Sequence, residues 1–464
     1  MSCITLGTDY LVIGSGAMGM AFTDILMTET DARVVMVDRH HQPGGHWNNA
    51  YPYVRLHQPS ASYGVNSRKL GSDVIDATGW NKGLYELATN SEVCAYFDQV
   101  MQQQFLPSGR VQYFPMCEYR GSQHFASLMS DAQYDVVAKK IVDATYMNVT
   151  VPSMRCPLYG VPEGANCVPP NALPRLTGKW DRYTVVGAGK TGMDACLFLL
   201  KNYVDPDDIA WIMPRDSWLM NRADIQAGEM FAQSIGRFIR DNFEAIANSR
   251  SITDLFARIE AKGHLLRLDE NVWPTMYRCA TVTQAELEQL RRIKNIIRSG
   301  RVQRIEANRI VLDKGTVQTS STTLHIDCTA NGLEKRLAKP VFAGSQITLQ
   351  PVRTCQPVFS AAFIGHIESA YEKEALKNEL CTPVPHPDTY VDYLHTMLAD
   401  FLNGARWAED SGLQTWLRST RLNPFSGGRS NSRSEADPEL AIGRAAGVKA
   451  AAEQLRMLLS ELDT

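Results

Sequence analysis

The 464-residue chain is defined first by what it lacks. No segment approaches the roughly 20 uninterrupted apolar residues of a membrane helix, so no membrane partner is expected. No basic tract carries interleaved aromatics, and a net charge of −3 gives a polyanion nothing to hold, which argues against nucleic acid. No basic leader precedes the first apolar run, which therefore reads as a strand and not as a signal peptide. The ten cysteines are scattered, with neither a C-x-x-C pair nor zinc-like spacing. They read as free thiols of a reducing cytoplasm, with no metal site. The remaining composition, 44% hydrophobic and 21% charged, is that of a soluble globular protein long enough for two or three domains.

What is present is a glycine-rich turn that occurs twice. DYLVIGSGAMG contains Gly14, Gly16 and Gly19; RYTVVGAGKTG contains Gly187, Gly189 and Gly192. Each follows a β-branched apolar run and opens a helical run. Each half then repeats the string GRVQ, at 109–112 and 300–303, and closes on an Asp-x-Thr strand. Those strands are KKIVDAT, with Asp143 and Thr145, and LHIDCT, with Asp327 and Thr329. In such a turn the first glycine permits the bend, the second lets backbone approach a pyrophosphate, and the third lets helix and strand pack closely. The helix N-terminus then presents unpaired N–H groups to the phosphates. The expected fold is α/β, with two Rossmann-like dinucleotide-binding domains and electron transfer between two bound dinucleotides.

The two turns differ downstream. Asp38 ends the second strand nineteen residues after Gly19, where a carboxylate accepts the ribose hydroxyls of an adenosine, and Arg39 follows it. In the second unit Arg215 follows strand 208–214 with no acid, which suits a ribose 2′-phosphate and favours NADPH over NADH. Arg222 and Lys190 are candidate helpers.

Residues 1–175 and 330–464 are assigned to the first nucleotide domain and 176–329 to the second. A linker with six prolines spans 151–180. A long, mostly helical insertion is expected over 224–298, as a packed cap. FSAAFIGH (359–366) reads as a buried strand, followed by a helix from about Glu368. A mobile loop is expected over 420–434 and an amphipathic helix over 436–462.

PGGHW, with Gly44, Gly45 and Trp47, follows Asp38. Paired glycines let backbone pass a flat cofactor, and the indole offers a rigid plane beside it. In this order of motifs, from residue 9 to residue 215, the chain resembles the flavin-dependent monooxygenases that use two dinucleotide domains. The residues carrying the resemblance are Gly14, Gly16, Gly19, Asp38, Gly44, Gly45, Trp47, Gly187, Gly189 and Gly192. The family's F-x-G-x-x-x-H-x-x-x-W/F fingerprint is absent, and DATYMN stands where Ala-Thr-Gly is usual, which marks a divergent branch.

The resemblance implies a glutathione-reductase-like architecture, FAD on the first unit and NADPH on the second. It also implies oxygenation of a small organic molecule through a C4a-peroxyflavin. It sets YPYVRLHQPS beside the flavin, with Arg55, His57 and Gln58 as candidate catalytic residues and His57 as a proton donor. Gly365 and His366, just before a helix, are candidates for stabilising reduced flavin from a helix N-terminus. The lack of a close cysteine pair argues against a flavin disulfide reductase. Two alternatives stay open: a flavin dehydrogenase or oxidase acting directly on a small molecule, and a flavin-binding sensor that is not an enzyme. The terminal helices would support a homodimer.

Overall fold

β1 (Ile4–Ile13) carries the apolar run YLVI into the first glycine turn, α1 (Ala17–Glu29) follows, and β2 (Val34–Val37) returns parallel to β1. The computed structural model describes residues 3–226, 228–424 and 438–461. α2 (Asn90–Val100) starts at a capping box formed by Thr89 and Glu92. β3 (Val111–Phe114) adds parallel to β2. β4 (Cys117–Gly121) and β5 (His124–Ser127) form an antiparallel meander leading into β6 (Gln133–Asp143), which lies parallel to β1 on its other side.

The second unit repeats this plan. It contains β7 (Cys167–Val168), β8 (Arg182–Val186), α3 (Lys190–Lys201) and β9 (Ile209–Ile212). The insertion then supplies β10 (Ser217–Asn221), α4 (Ala232–Asn248), α5 (Ile252–Ala261), β11 (Leu265–Leu266), β12 (Met276–Val282) and α6 (Gln284–Leu290). After β13 (Asn295–Ile297) come the antiparallel β14 (Val302–Ile305), β15 (Arg309–Leu312) and β16 (Gly315–Gln318), and then β17 (Thr323–Asp327). The parallel sheet has the order β13-β9-β8-β17-β7.

The chain then rejoins the first sheet through β18 (Phe342–Ala343) and β19 (Gln346–Thr348), giving β18-β19-β6-β1-β2-β3. It finishes in α7 (Pro357–Ala370), α8 (Glu374–Leu380), α9 (Tyr390–Ala408), α10 (Ser411–Ser419) and α11 (Pro438–Ser460). α7 and α1 pack together and are buried on almost every side. A separate core joins Trp218, Ile246, Phe256 and Tyr277 of the second unit to Leu394, Met397 and Leu455 of α9 and α11. Among the described residues no helix is long and apolar enough to cross a membrane.

Three expectations change. FSAAFIGH is not a strand: it lies wholly inside α7. An apolar run buried all round shows no helical period, so it cannot be told from a buried strand by pattern. The insertion is helical through α4 and α5 and again at α6, and its 265–297 stretch also includes β11, β12 and β13. The two GRVQ strings also diverge: both glycines are left-handed, but Val111 enters the parallel sheet while Val302 enters the antiparallel one. Of the expected loop at 420–434, residues 425–434 lie outside the described residues.

Candidate cofactor turns and the cavity between them

The glycine turns are built alike. Gly14 has φ +100° and Gly187 φ +129°, conformations in which a side chain is strained. A Cβ on Gly19 would lie 2.0 Å from the Gly14 carbonyl oxygen, and one on Gly192 would lie 2.1 Å from that of Gly187. The Asp-x-Thr pairs close the strands beside them. Thr145 donates its N–H and hydroxyl to Asp143, Thr329 does the same to Asp327, and Thr145 and Cys328 press against the first glycine of each turn. α1 and α3 begin at Gly16 and Gly189 with no side-chain cap, so their terminal N–H groups are available to an anion. Gly44 donates its N–H to the Ser15 carbonyl at 3.0 Å, and a Cβ on Gly45 would lie 2.9 Å from the Gly16 Cα, so position 45 requires glycine, whereas a Cβ on Gly16 would meet Gly45 at an ordinary 3.6 Å.

A cavity of about 810 Å³ lies between the units. It is bordered by Trp47, Tyr51 and His57 of the first unit, by Gly189 and Lys190 of the second turn, and by α4 and α9. Phe238, Ile239, Phe243, Met397, Phe401 and Trp407 make the α4–α9 side apolar. The Trp47 indole is held by its Nε1–H donating to the Tyr63 hydroxyl at 2.7 Å. Tyr51 donates its hydroxyl to Asp194 at 2.7 Å, and Asp194 also pairs with Lys190, so one carboxylate ties the first unit to the second turn.

Arg55, His57 and Gln58 all border this cavity. Burial, aided by the cations Lys190 and Arg222, pushes the His57 imidazole well below its ordinary pKa. This favours the neutral ring over the protonated form that the candidate proton donor would use. Asp38 is buried, and its oxygens are taken: Oδ2 by Ser15 N–H and hydroxyl, Oδ1 by His40 N–H and ring nitrogen. Burial opposes its charge, but these donors hold its carboxyl below the ordinary range. A ribose would compete with His40 for this carboxylate. Arg39 points into solvent, 3.8 Å from Glu118.

The second unit departs further from expectation. Arg215 is gripped by Asp388 in a two-point pair at 3.0 and 3.1 Å, and Arg278 donates to the same carboxylate at 2.6 Å. Burial alone would raise Asp388, but the two arginines hold it at about 2. The strand end is not free of acid, since Asp216 follows directly, neutralised by Arg298 at 2.8 and 2.9 Å. Arg222 is not a nucleotide helper. It is fully buried, pairs with Glu286 at 2.8 Å and donates to the His57 and Thr281 carbonyls.

Gly365 and His366 are corrected outright. Gly365 packs against Ile25 and Phe22 of α1, while His366 pairs with Glu29 and stacks on Trp416, at the end of α1 remote from the turn. The helix end at the cavity is instead the start of α7, where Gln356 and Pro357 border it without a side-chain cap.

Sequence reasoning missed four cavity residues. Asp400 of α9 accepts from Thr354 N–H at 2.9 Å, near Arg353, Tyr277 and Tyr393. Burial raises its carboxyl to about 6. Cys279 and Cys355 are joined as a disulfide beside His386, contrary to the expectation of free thiols throughout. The two cysteines lie 76 residues apart, so no short-range spacing signals the pair.

No family model matches the chain. It is 59% identical over 419 residues to the uncharacterized protein Rv2000 of Mycobacterium tuberculosis, covering 90% of this chain and 78% of that one. Among solved structures it is similar to cyclohexanone monooxygenase from Rhodococcus sp. Phi1 bound to NADP+, with 14% identity over 79% of this chain and 84% of that one, at TM-score 0.48. It is also similar to a flavin-containing monooxygenase from Stenotrophomonas maltophilia, with 12% identity over 78% and 97%, at TM-score 0.44.

Proposed function

We propose that this chain, which belongs to the family of the mycobacterial protein Rv2000, is an FAD-dependent, NADPH-using oxidoreductase that oxygenates a small organic molecule. The observation that carries the reading is the repeated turn. Two uncapped helix N-termini follow strained glycines, with one cavity bordered by the Trp47 segment and by Gly189. The close approach of Gly16 and Gly45 suits a backbone cradle for a pyrophosphate, where a side chain on Gly45 would collide with Gly16.

When bound, the flavin would supply two-electron exchange with the nicotinamide and activation of oxygen. The chain's part is to bind, orient and exclude water. α1 and α3 would hold the pyrophosphates by N–H groups and dipole. Arg215 and Arg278 share one carboxylate, so these three groups carry a net positive charge that suits a 2′-phosphate. The start of α7 turns the positive end of its dipole to the cavity, where it would stabilise developing negative charge. Neutral His57 would hold a hydrogen bond there, and Asp400, with its carboxyl near 6, would exchange a proton around neutrality. The apolar residues of α4 and α9 would receive the substrate and keep the site dry.

The test follows NADPH and oxygen consumption with labelled oxygen gas, across panels of amines, thioethers and ketones. One labelled oxygen atom in a product, with peroxide release suppressed, supports the reading. Full recovery of consumed oxygen as hydrogen peroxide with every compound would replace it with an oxidase.

A further inference from the structure

Cys279 and Cys355 are 76 residues apart in sequence, yet their Cα atoms lie 6.3 Å apart and the two form a disulfide. His386 completes a cluster in which the two sulfurs and a ring nitrogen lie within 4.8 Å of one another. All three residues border the cavity. Each arrives there through a feature that a plain cross-link does not require. β12 bulges against β10 between Tyr277 and Thr281, and Cys279, within the bulge, has φ +55°. Cys355, just ahead of α7, has φ +58°. Left-handed backbone at a residue other than glycine is strained and gathers at functional sites.

His386 is held as firmly. It stands between Pro385 and Pro387, whose rings fix the backbone on both sides. Asp388, two residues on, is gripped by Arg215 and Arg278, and its carbonyl accepts from the Tyr277 N–H at 3.0 Å. Among the described residues the His386 ring makes no hydrogen bond. A structural disulfide has no use for a fixed imidazole beside it.

We propose that Cys279, Cys355 and His386 form a binding site for a borderline-soft divalent cation of the zinc class, open in the dithiol state and closed by the disulfide. Opening requires two electrons and two protons, which a small dithiol supplies as it becomes its own disulfide. Binding of the cation then releases the two thiol protons. Two thiolates and an imidazole select a zinc-like ion over magnesium or calcium. Three protein ligands leave a fourth tetrahedral position for water or a donor atom of a molecule in the cavity. The inference stands apart from the cofactor reading of the glycine turns.

The test titrates the full-length protein with cobalt(II) as a spectroscopic stand-in for zinc, before and after anaerobic treatment with a dithiol that is then removed. The reduced protein should develop the visible bands of a tetrahedral site and a thiolate charge-transfer band, saturating at one equivalent per chain. The untreated protein, folded and oxidised, should show neither. His386→Ala should weaken binding by more than the roughly ten- to hundred-fold that loss of an outer-shell partner costs. Cys279→Ser should remove the charge-transfer band, with circular dichroism checking the fold. A reduced wild type without bands, or bands unchanged in both variants, overturns the proposal.

Discussion

The two nucleotide units use the same backbone and different side chains. Gly14 and Gly187 are both left-handed, Gly19 and Gly192 both sit under a carbonyl, and Asp143–Thr145 and Asp327–Thr329 make the same local bonds. At the end of the next strand the likeness stops. The first unit has a lone buried carboxylate, Asp38, satisfied by Ser15 and His40. The second has two ion pairs, Arg215–Asp388 and Asp216–Arg298. Repetition therefore covers the glycine turns, and divergence covers the strand ends, where the proposed reading has one dinucleotide told from another.

The sharpest way to break this comparison is to damage one turn at a time. Gly19→Ala and Gly192→Ala each drive a methyl group into a carbonyl, and each should cost about 1–3 kcal/mol of stability. Gly19→Ala should lose bound flavin. Gly192→Ala should keep it but no longer be reduced by NADPH. Flavin content by absorbance, and loss of flavin from both variants equally, would show that the turns do not serve different dinucleotides.

Arg215→Ala tests the divergent half. It should raise the KM for NADPH about tenfold while leaving that for NADH within about twofold, as expected when one charge-assisted contact to a phosphate is lost. Equal changes for both nucleotides would reduce Arg215 to an ion-pair partner of Asp388.

Sequence made the turns legible because their requirement is local: glycine is demanded wherever φ is positive or a Cβ would collide. It could not read α7, because Val358, Phe359, Phe363 and Ile364 are all buried and the helix has no polar face. It assigned Gly365 to a cofactor when that glycine lets α7 approach α1. Arg222 reads as a candidate nucleotide helper, since nothing local announces that Glu286 and two carbonyls surround it. The cysteine pair was invisible for a similar reason, its members being brought together only by a bulge in β12 and the start of α7.

Away from the turns, two buried groups respond to burial in opposite ways, which gives two smaller effects. Asp400, among the helices after the second unit, resists its charge: its folded pKa of about 6 lies above the ordinary 3.8. The folded state thus binds the proton more tightly, and wild type should gain about 1–3 kcal/mol over Asp400→Asn as pH falls from about 6 to about 4. His264, in the insertion, has burial against it, but the Asp224 and Asp241 carboxylates at 2.9 and 3.0 Å overcome this and raise its pKa. Its contribution is present below the ordinary histidine value and is lost as pH rises through the raised one. The wild-type advantage over His264→Gln should therefore shrink on going alkaline. Denaturant midpoints across pH check both slopes, and a slope of the opposite sign would contradict either assignment.

The most direct measurement is anaerobic titration of the purified protein, loaded with FAD, with NADPH while the flavin absorbance is recorded. Two turns serving two dinucleotides predict stoichiometric bleaching, one NADPH per bound flavin. A protein that binds FAD yet keeps its full absorbance under excess NADPH would contradict the assignment of the second turn to a nicotinamide.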